Sequence, residues 1–171
     1  EVDAKADGNW RFYPLALGGR DDELELTVSS SDDFSSLHET NALGESRFGE
    51  MMHSVSKEMV SVRTLDGLWE EIIKNPGRKI LLKTDTQGHD LEVLRGGGKA
   101  LAAICTIVAE ISFQPIYKNS PKSEEIIGEL SKYGFVFSGI YPISHTSEDM
   151  LMIEADAYFV KKSISGLGLT Q

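Results

Sequence analysis

Residues able to do acid–base chemistry lie directly after two short apolar runs of the chain. Asp85 and His89 follow the run at 80–82, and Glu110 follows the run at 104–109. A carboxylate or an imidazole can orient a hydroxyl group or remove its proton near neutral pH. In an open parallel sheet, the carboxyl ends of the strands meet at one edge, where ligands bind. The pattern therefore predicts that Asp85, His89 and Glu110 share one catalytic crevice.

Each of these residues also has a structural interpretation, which the sequence leaves open. The Asp85 carboxylate can bond the first turn of the following helix. His89 can be a polar first-turn residue that bonds the backbone, and Glu110 can form a buried ion pair with Lys83 or an arginine. Both kinds of role stay open at this point.

Apolar runs and turn residues predict alternating strands and helices. Strands are predicted at 11–17, 24–28, 59–62, 79–85, 104–111, 135–141, 150–153 and 157–160. Helices are predicted after the cap Thr64 and up to Pro76, at 88–94 before Gly96, and from Ser120 and Pro121 onward. The glycines of 18–22 predict a hairpin between the first two strands. The serine-rich segment 29–50 is predicted to be a long loop, able to act as a lid.

This alternation predicts the fold class α/β, with a mostly parallel sheet, helices on both faces and an antiparallel edge from the last strands. The length of 171 residues suits one domain, so 1–171 is interpreted as a single domain.

Composition narrows the classes of partner. The formal charge is −10, which repels phosphate backbones and anionic lipid surfaces, so neither nucleic acid nor membrane is an expected partner. Cys105 is the single cysteine, which excludes a disulfide within the chain and favours a cytoplasmic setting. The spacings of histidines, cysteines and acidic residues match no zinc or calcium motif, so no metal site is predicted.

Seven segments carry a family resemblance. In chain order they are 14–18 (PLALG), 21–26 (DDELEL), 35–37 (SSL), 62–66 (VRTLD), 82–96 (LKTDTQGHDLEVLRG), 108–111 (VAEI) and 155–159 (ADAYF). Together they resemble the FkbM family of S-adenosylmethionine-dependent methyltransferases. The resemblance implies a Rossmann-like class I methyltransferase fold, S-adenosylmethionine as the cofactor, and methyl transfer to a hydroxyl oxygen of a small molecule or sugar.

The resemblance also implies places for ligands. Ala16 and Leu17 would lie near the adenine ring of the cofactor, and Asp85 near its sulfonium or the acceptor hydroxyl. Ser36 and His38, in the segment 29–50, are candidates for contact with the acceptor, although solvated loop polarity is the commoner explanation for such residues.

One departure from the family is clear. These residues include no glycine-rich turn of the type Asp-x-Gly-Ala-Asn-x-Gly, and no pair of strands around it. In the family's strand order, 3-2-1-4-5-7-6, this loss leaves a gap beside the strand that ends at Asp85. We therefore expect the residues to be the carboxyl-terminal portion of a domain, with bare strand edges that favour a homo-oligomer. The alternative function is that of a non-catalytic remnant or an interaction domain.

Overall fold

Strands and helices alternate in the computed structural model, which describes residues 8–73 and 77–162. The strands are β1 (Ala16–Leu17), β2 (Asp22–Ser29), β3 (Ser54–Arg63), β4 (Leu81–Thr84), β5 (Thr106–Ser112), β6 (Phe135–His145) and β7 (Met152–Lys161). The helices are α1 (Ala42–Phe48), α2 (Leu65–Ile72), α3 (Asp90–Arg95), α4 (Ala100–Ala103) and α5 (Ser123–Lys132). Two short 3-10 helices, Asp32–Phe34 and Gly49–Met52, flank α1.

The strands form two mixed sheets. In the order β1-β3-β2, β1 is parallel to β3 while β2 is antiparallel to it. In the order β4-β5-β7-β6, only β4 and β5 are parallel. The α/β class and the antiparallel edge are confirmed, but the mostly parallel sheet is not, because β7 pairs antiparallel with both of its neighbours. β1 and β4 each end a sheet, as the expected gap requires.

The predicted hairpin between the first two strands is wrong. β1 pairs with β3, and β2 pairs with the other edge of β3. The Asp21 carboxylate accepts hydrogen bonds from Arg63 Nε at 3.0 Å and from the Thr64 backbone N–H at 2.9 Å, and the Gly18 N–H donates to the Arg63 carbonyl. These bonds hold the chain after β1 against the end of β3. The antiparallel partner of β2 is therefore β3 and not β1.

The segment 29–50 is more regular than the predicted long loop. Asn41 caps α1, because its Oδ1 accepts hydrogen bonds from the Leu43 and Gly44 N–H groups at 3.0 and 3.1 Å. Its Nδ2 donates to the Pro115 carbonyl at 2.7 Å and so ties the helix to the chain after β5. The sequence pattern did not predict this cap, because the serine-rich residues before Asn41 indicated a loop.

Other boundaries differ from the prediction for local reasons. The strands predicted at 150–153 and 157–160 are one continuous strand, β7. Helix α5 begins at Ser123, after the predicted cap Ser120, because the Glu125 carboxylate accepts the Lys122 backbone N–H at 3.0 Å.

The predicted cap of α2 is confirmed. The Thr64 hydroxyl accepts the Gly67 N–H at 3.1 Å. Gly96 is the C-cap of α3, as the sequence predicts. Pro76, the predicted end of α2, lies outside the described residues.

The main core lies on one face of the sheet β4-β5-β7-β6. Leu65 of α2, Leu94 of α3 and Leu130 of α5 pack there against Ile107 and Phe159 of the sheet. The opposite face exposes Leu81 at 61% and Tyr158 at 41%. The described residues therefore show helices on one face and not on both. The run at 80–82 suggests burial on both sides, but Leu81 lies on the edge strand β4.

A close backbone contact joins the two sheets. A Cβ atom placed on Gly96 would lie 2.0 Å from the Gly18 carbonyl oxygen and 3.0 Å from its carbonyl carbon. Gly18 directly follows β1, and Gly96 ends α3 after β4. Only a glycine at position 96 permits this approach without a shift of the backbone.

We expect Gly96→Ala to lower the free energy of unfolding by about 3 kcal/mol, because the methyl group meets backbone atoms that cannot move independently. Gly128→Ala is the matched control. Gly128 lies on the exposed side of α5 with nothing within 4 Å of an added Cβ, so alanine should stabilise by about 0.5–1 kcal/mol. Urea unfolding of both variants measures the difference, and equal effects would contradict this account of the contact.

Candidate functional site

A cavity of about 800 Å³ lies at the carboxyl ends of β4 and β5. Both sheets contribute to it, as does the 3-10 helix Asp32–Phe34 with the residues after it. The cavity is lined by Leu15, Ala16, Leu17, Leu26, Asp32, Asp33, Phe34, Ser35, Ser36, Leu37, Phe48, Asp85, Thr86, Gln87, Glu110, Ile143, Ser144 and Glu154. The lining thus combines apolar side chains with the carboxylates of Asp32, Asp33, Asp85, Glu110 and Glu154.

Asp85 stands at the end of β4 with its carboxylate held from two sides. Lys83 Nζ lies 2.7 Å from Oδ2, and the Gln87 amide nitrogen donates to Oδ1 at 3.0 Å. The turn before α3 is fixed by another carboxylate, Asp90, which accepts hydrogen bonds from the Thr86 N–H and hydroxyl at 3.3 and 3.0 Å. The carboxylate that fixes this turn is therefore Asp90, whereas Asp85 bonds Lys83 and Gln87.

Glu110 and Glu154 are buried carboxylates on neighbouring strands. The two residues are 8% and 6% exposed. Glu110 pairs across the strands with Asp156, and Glu154 lies two residues before Asp156 on β7, so all three residues lie on the same face of the sheet. Burial, with the nearby charge of Glu154, raises the pKa of Glu110 to about 9. Burial raises the pKa of Glu154 to about 7. Both carboxyl groups are therefore poor acids that hold their protons to unusually high pH.

Glu110 does not form the ion pair that the sequence leaves open. Lys83 lies 2.7 Å from Asp85 and 3.9 Å from Asp156, and no lysine or arginine of the described residues forms a salt bridge with Glu110 or Glu154. The hydrogen bonds to these two carboxylates are long, at 3.4 Å from Gln87 Nε2 and 3.4 Å from the Ser144 hydroxyl. Among the described residues, Lys83 is thus the basic group near the cavity, and it pairs with Asp85 and not with the buried Glu110 or Glu154.

Gln87 connects the carboxylates to the rest of the cavity wall. Its Nε2 lies 3.0 Å from Asp85 and 3.4 Å from Glu110, and its Oε1 accepts the Tyr117 hydroxyl at 2.9 Å. Its backbone carbonyl accepts the Ser36 hydroxyl at 2.7 Å. Ser36, predicted to contact the acceptor, is therefore a buried wall residue whose hydroxyl already has a partner.

His38 and His89 contact each other instead of the large cavity. His38 Nε2 lies 3.1 Å from His89 Nδ1, and both rings are half-buried. Burial lowers the pKa of both rings, which favours the neutral forms that such a hydrogen bond needs. His38 lines a smaller cavity of about 180 Å³ together with Gly88 and Glu92. The structure thus separates the two imidazoles from Asp85 and Glu110.

The predicted cofactor residues Ala16 and Leu17 line the large cavity beside Asp85 and Glu110. Sequence reasoning counted Gln87 only among the polar groups that follow the strand, and it did not single out Tyr117 or Glu154. The sequence feature that could have identified Glu154 is its carboxylate inside the apolar strand β7, where an unpaired charge is costly. Gln87 stands within the segment 82–96 that carries the resemblance, but its contacts depend on the folded turn.

Two other features were searched for in the described ranges. Residues 8–73 and 77–162 contain no group of three histidines, cysteines or acidic residues able to hold a metal ion. No helix in these ranges combines the length and the apolar character needed to cross a lipid bilayer.

Comparison with known proteins gives one match. The family model described as "Methyltransferase FkbM domain" matches residues 5–137, which is most of the chain. This range contains Asp85, Gln87 and Glu110, whereas Glu154 lies beyond it. No curated protein and no solved structure matches the chain.

The raised pKa of Glu110 predicts a pH-dependent cost to folding. Its pKa in the folded state, about 9, exceeds the ordinary value of 4.5. The contribution of Glu110 to stability is therefore complete below pH 4.5 and is lost as the pH rises toward 9. We expect Glu110→Gln to be more stable than the wild type at pH 8, by about 1 kcal/mol or more, with a smaller difference at pH 5.

Urea unfolding at the two pH values measures this effect. Glu23→Gln on the exposed side of β2 removes the same formal charge and should leave the pH dependence unchanged. If Glu110→Gln and Glu23→Gln behave alike, the burial cost assigned to Glu110 is wrong.

Proposed function

Because the chain belongs to the FkbM methyltransferase domain family, we propose that it transfers a methyl group from S-adenosylmethionine to a hydroxyl oxygen of a small molecule or sugar. The observation that carries this proposal is the cavity at the ends of β4 and β5. It combines an apolar wall with the carboxylates Asp85 and Glu110, at the edge of the sheet where α/β proteins bind ligands.

The residues of the cavity fit such a cofactor in charge and polarity. S-adenosylmethionine carries a positive sulfonium and an ammonium group, and the charged residues that line the cavity are all acidic: Asp32, Asp33, Asp85, Glu110 and Glu154. The buried Glu110 and Glu154 form no salt bridge with a described lysine or arginine, so a cationic ligand offsets part of the cost of burying their charge.

In this proposal Ala16 and Leu17 pack against the adenine ring, and Asp85 lies on the side of the sulfonium. When bound, the cofactor supplies an electrophilic methyl group, and its leaving group departs neutral, so the transfer needs no metal. Alignment of the acceptor oxygen with that methyl group accounts for most of the rate gain expected of such a site.

The chain's own carboxylates orient the acceptor and hold its proton. The acceptor hydroxyl donates a hydrogen bond to Glu110 or Asp85, and the proton it loses passes to that carboxylate oxygen. Glu110 is a stronger base than an ordinary carboxylate once ionised, because its pKa is raised by burial. A cation in the cavity lowers this pKa and so favours the ionised form.

His89 remains a predicted base of a different kind. Its Nδ1 faces His38, so a role for His89 in proton removal requires its other ring nitrogen, Nε2, to act as the base, or this pair to separate. His38 stays a predicted acceptor contact of the smaller cavity.

The acidic lining of the large cavity disfavours a phosphorylated acceptor and favours a neutral one. Cytoplasmic location and self-association likewise stay predictions.

Calorimetric titration of S-adenosylmethionine and S-adenosylhomocysteine into the chain tests the proposal. The first compound is a sulfonium and the second a neutral thioether. We expect both to bind, and Asp85→Asn to weaken S-adenosylmethionine about tenfold more than S-adenosylhomocysteine, because only the sulfonium loses a favourable charge. Glu23→Gln serves as the matched control.

Equal weakening of the two compounds would remove Asp85 from the neighbourhood of the sulfonium. Binding of neither compound to the wild-type chain, nor to a longer chain that carries the glycine-rich turn, would favour a non-catalytic domain of the same family.

A further inference from the structure

Gln87 occupies a backbone conformation that glutamine rarely adopts. Its φ is +49°, and that of the following Gly88 is +88°. In the left-handed region of backbone conformation, a residue with a Cβ atom is destabilised by about 1–2 kcal/mol, whereas glycine is not. Strained backbone of this kind is found where side-chain contacts hold it in place, often in functional sites.

The orientation of the Gln87 amide is fixed from both ends. The Asp85 carboxylate, bonded to Lys83, is an acceptor, so the amide NH₂ group must face it. The opposite end then presents its oxygen to Tyr117, whose hydroxyl donates at 2.9 Å. Tyr117 is 3% exposed, and burial raises the pKa of its hydroxyl, which keeps the donor proton in place.

A neutral amide of this length suits the position. The NH₂ group has two hydrogens and reaches two carboxylates, Asp85 Oδ1 at 3.0 Å and Glu110 Oε2 at 3.4 Å. A glutamate would place a third carboxylate between them, and a glycine would relieve the backbone but leave both carboxylates without this donor.

We propose that Gln87 is a positioning residue, which holds Asp85 and Glu110 at a fixed separation in the cavity and ties both to the wall through Ser36 and Tyr117. This inference rests on the proposed function for its catalytic meaning. The contacts from which it is argued are those of the protein without a ligand. The Gln87 N–H also favours the ionised form of Glu110, so its loss makes that carboxylate harder to ionise.

The test is a carbon-13 carboxyl NMR titration of Glu110 in the full chain, without any ligand. We expect Gln87→Gly to raise the titration midpoint of Glu110 by half a pH unit or more, while the melting temperature stays near that of the wild type because the backbone strain is relieved. Asn119→Gly is the matched control, since Asn119 also has a positive φ, +60°, but is not part of the cavity lining.

Tyr117→Phe provides a second variant, because it removes the hydroxyl that fixes the amide. We expect a smaller rise of the same midpoint. In an activity assay with S-adenosylmethionine, the pH profile of Gln87→Gly should move to higher pH in the same direction. An unchanged Glu110 midpoint in both Gln87→Gly and Tyr117→Phe would overturn the proposal. The NMR result stands whether or not the cofactor binds, so a failure of the proposed function is seen separately by calorimetry.

Discussion

The approach of Gly96 to the Gly18 carbonyl is the contact on which the arrangement of the site depends. The two sheets share no strand pairing in the described residues, so packing at this point and its surroundings sets their relative position. The cavity has Ala16 and Leu17 of one sheet on one side and Asp85 and Glu110 of the other on the opposite side. A side chain at position 96 would push the Gly18 backbone away from α3.

Burial of the Glu110 and Glu154 carboxyl groups is a second constraint on the site, and it is electrostatic. Two neighbouring carboxyl groups with raised pKa values cost stability at neutral pH, and no described lysine or arginine forms a salt bridge with either of them. A protein selected for stability alone would replace them with apolar residues or pair them. Their presence beside a cavity is understandable if a ligand supplies the missing positive charge, which agrees with the proposed cofactor.

The sequence predicts those parts of the site that follow from strand ends. Asp85 and Glu110 reach one cavity because β4 and β5 are parallel and end at the same edge. It could not predict that His89 would face His38, since that contact joins residues 51 positions apart. The hairpin prediction is wrong for a similar reason, because β1 pairs with Val62 and Arg63 of β3, far along the chain, and the glycines of the turn give no sign of that pairing.

The connection between β2 and β3 has a consequence for how such a protein can diversify. Phe34, Ser35, Ser36 and Leu37 lie in this connection and form part of the cavity wall, whereas Asp85, Gln87 and Glu110 lie at the ends of β4 and β5. In the proposed function, recognition of the acceptor and the handling of its proton thus fall in separate stretches of the chain. Substitutions at Asp32, Asp33 or Leu37 can reshape the space for an acceptor while Ser36, whose hydroxyl bonds the Gln87 carbonyl, keeps its support of the carboxylates, so new specificities can arise without rebuilding the proposed chemistry.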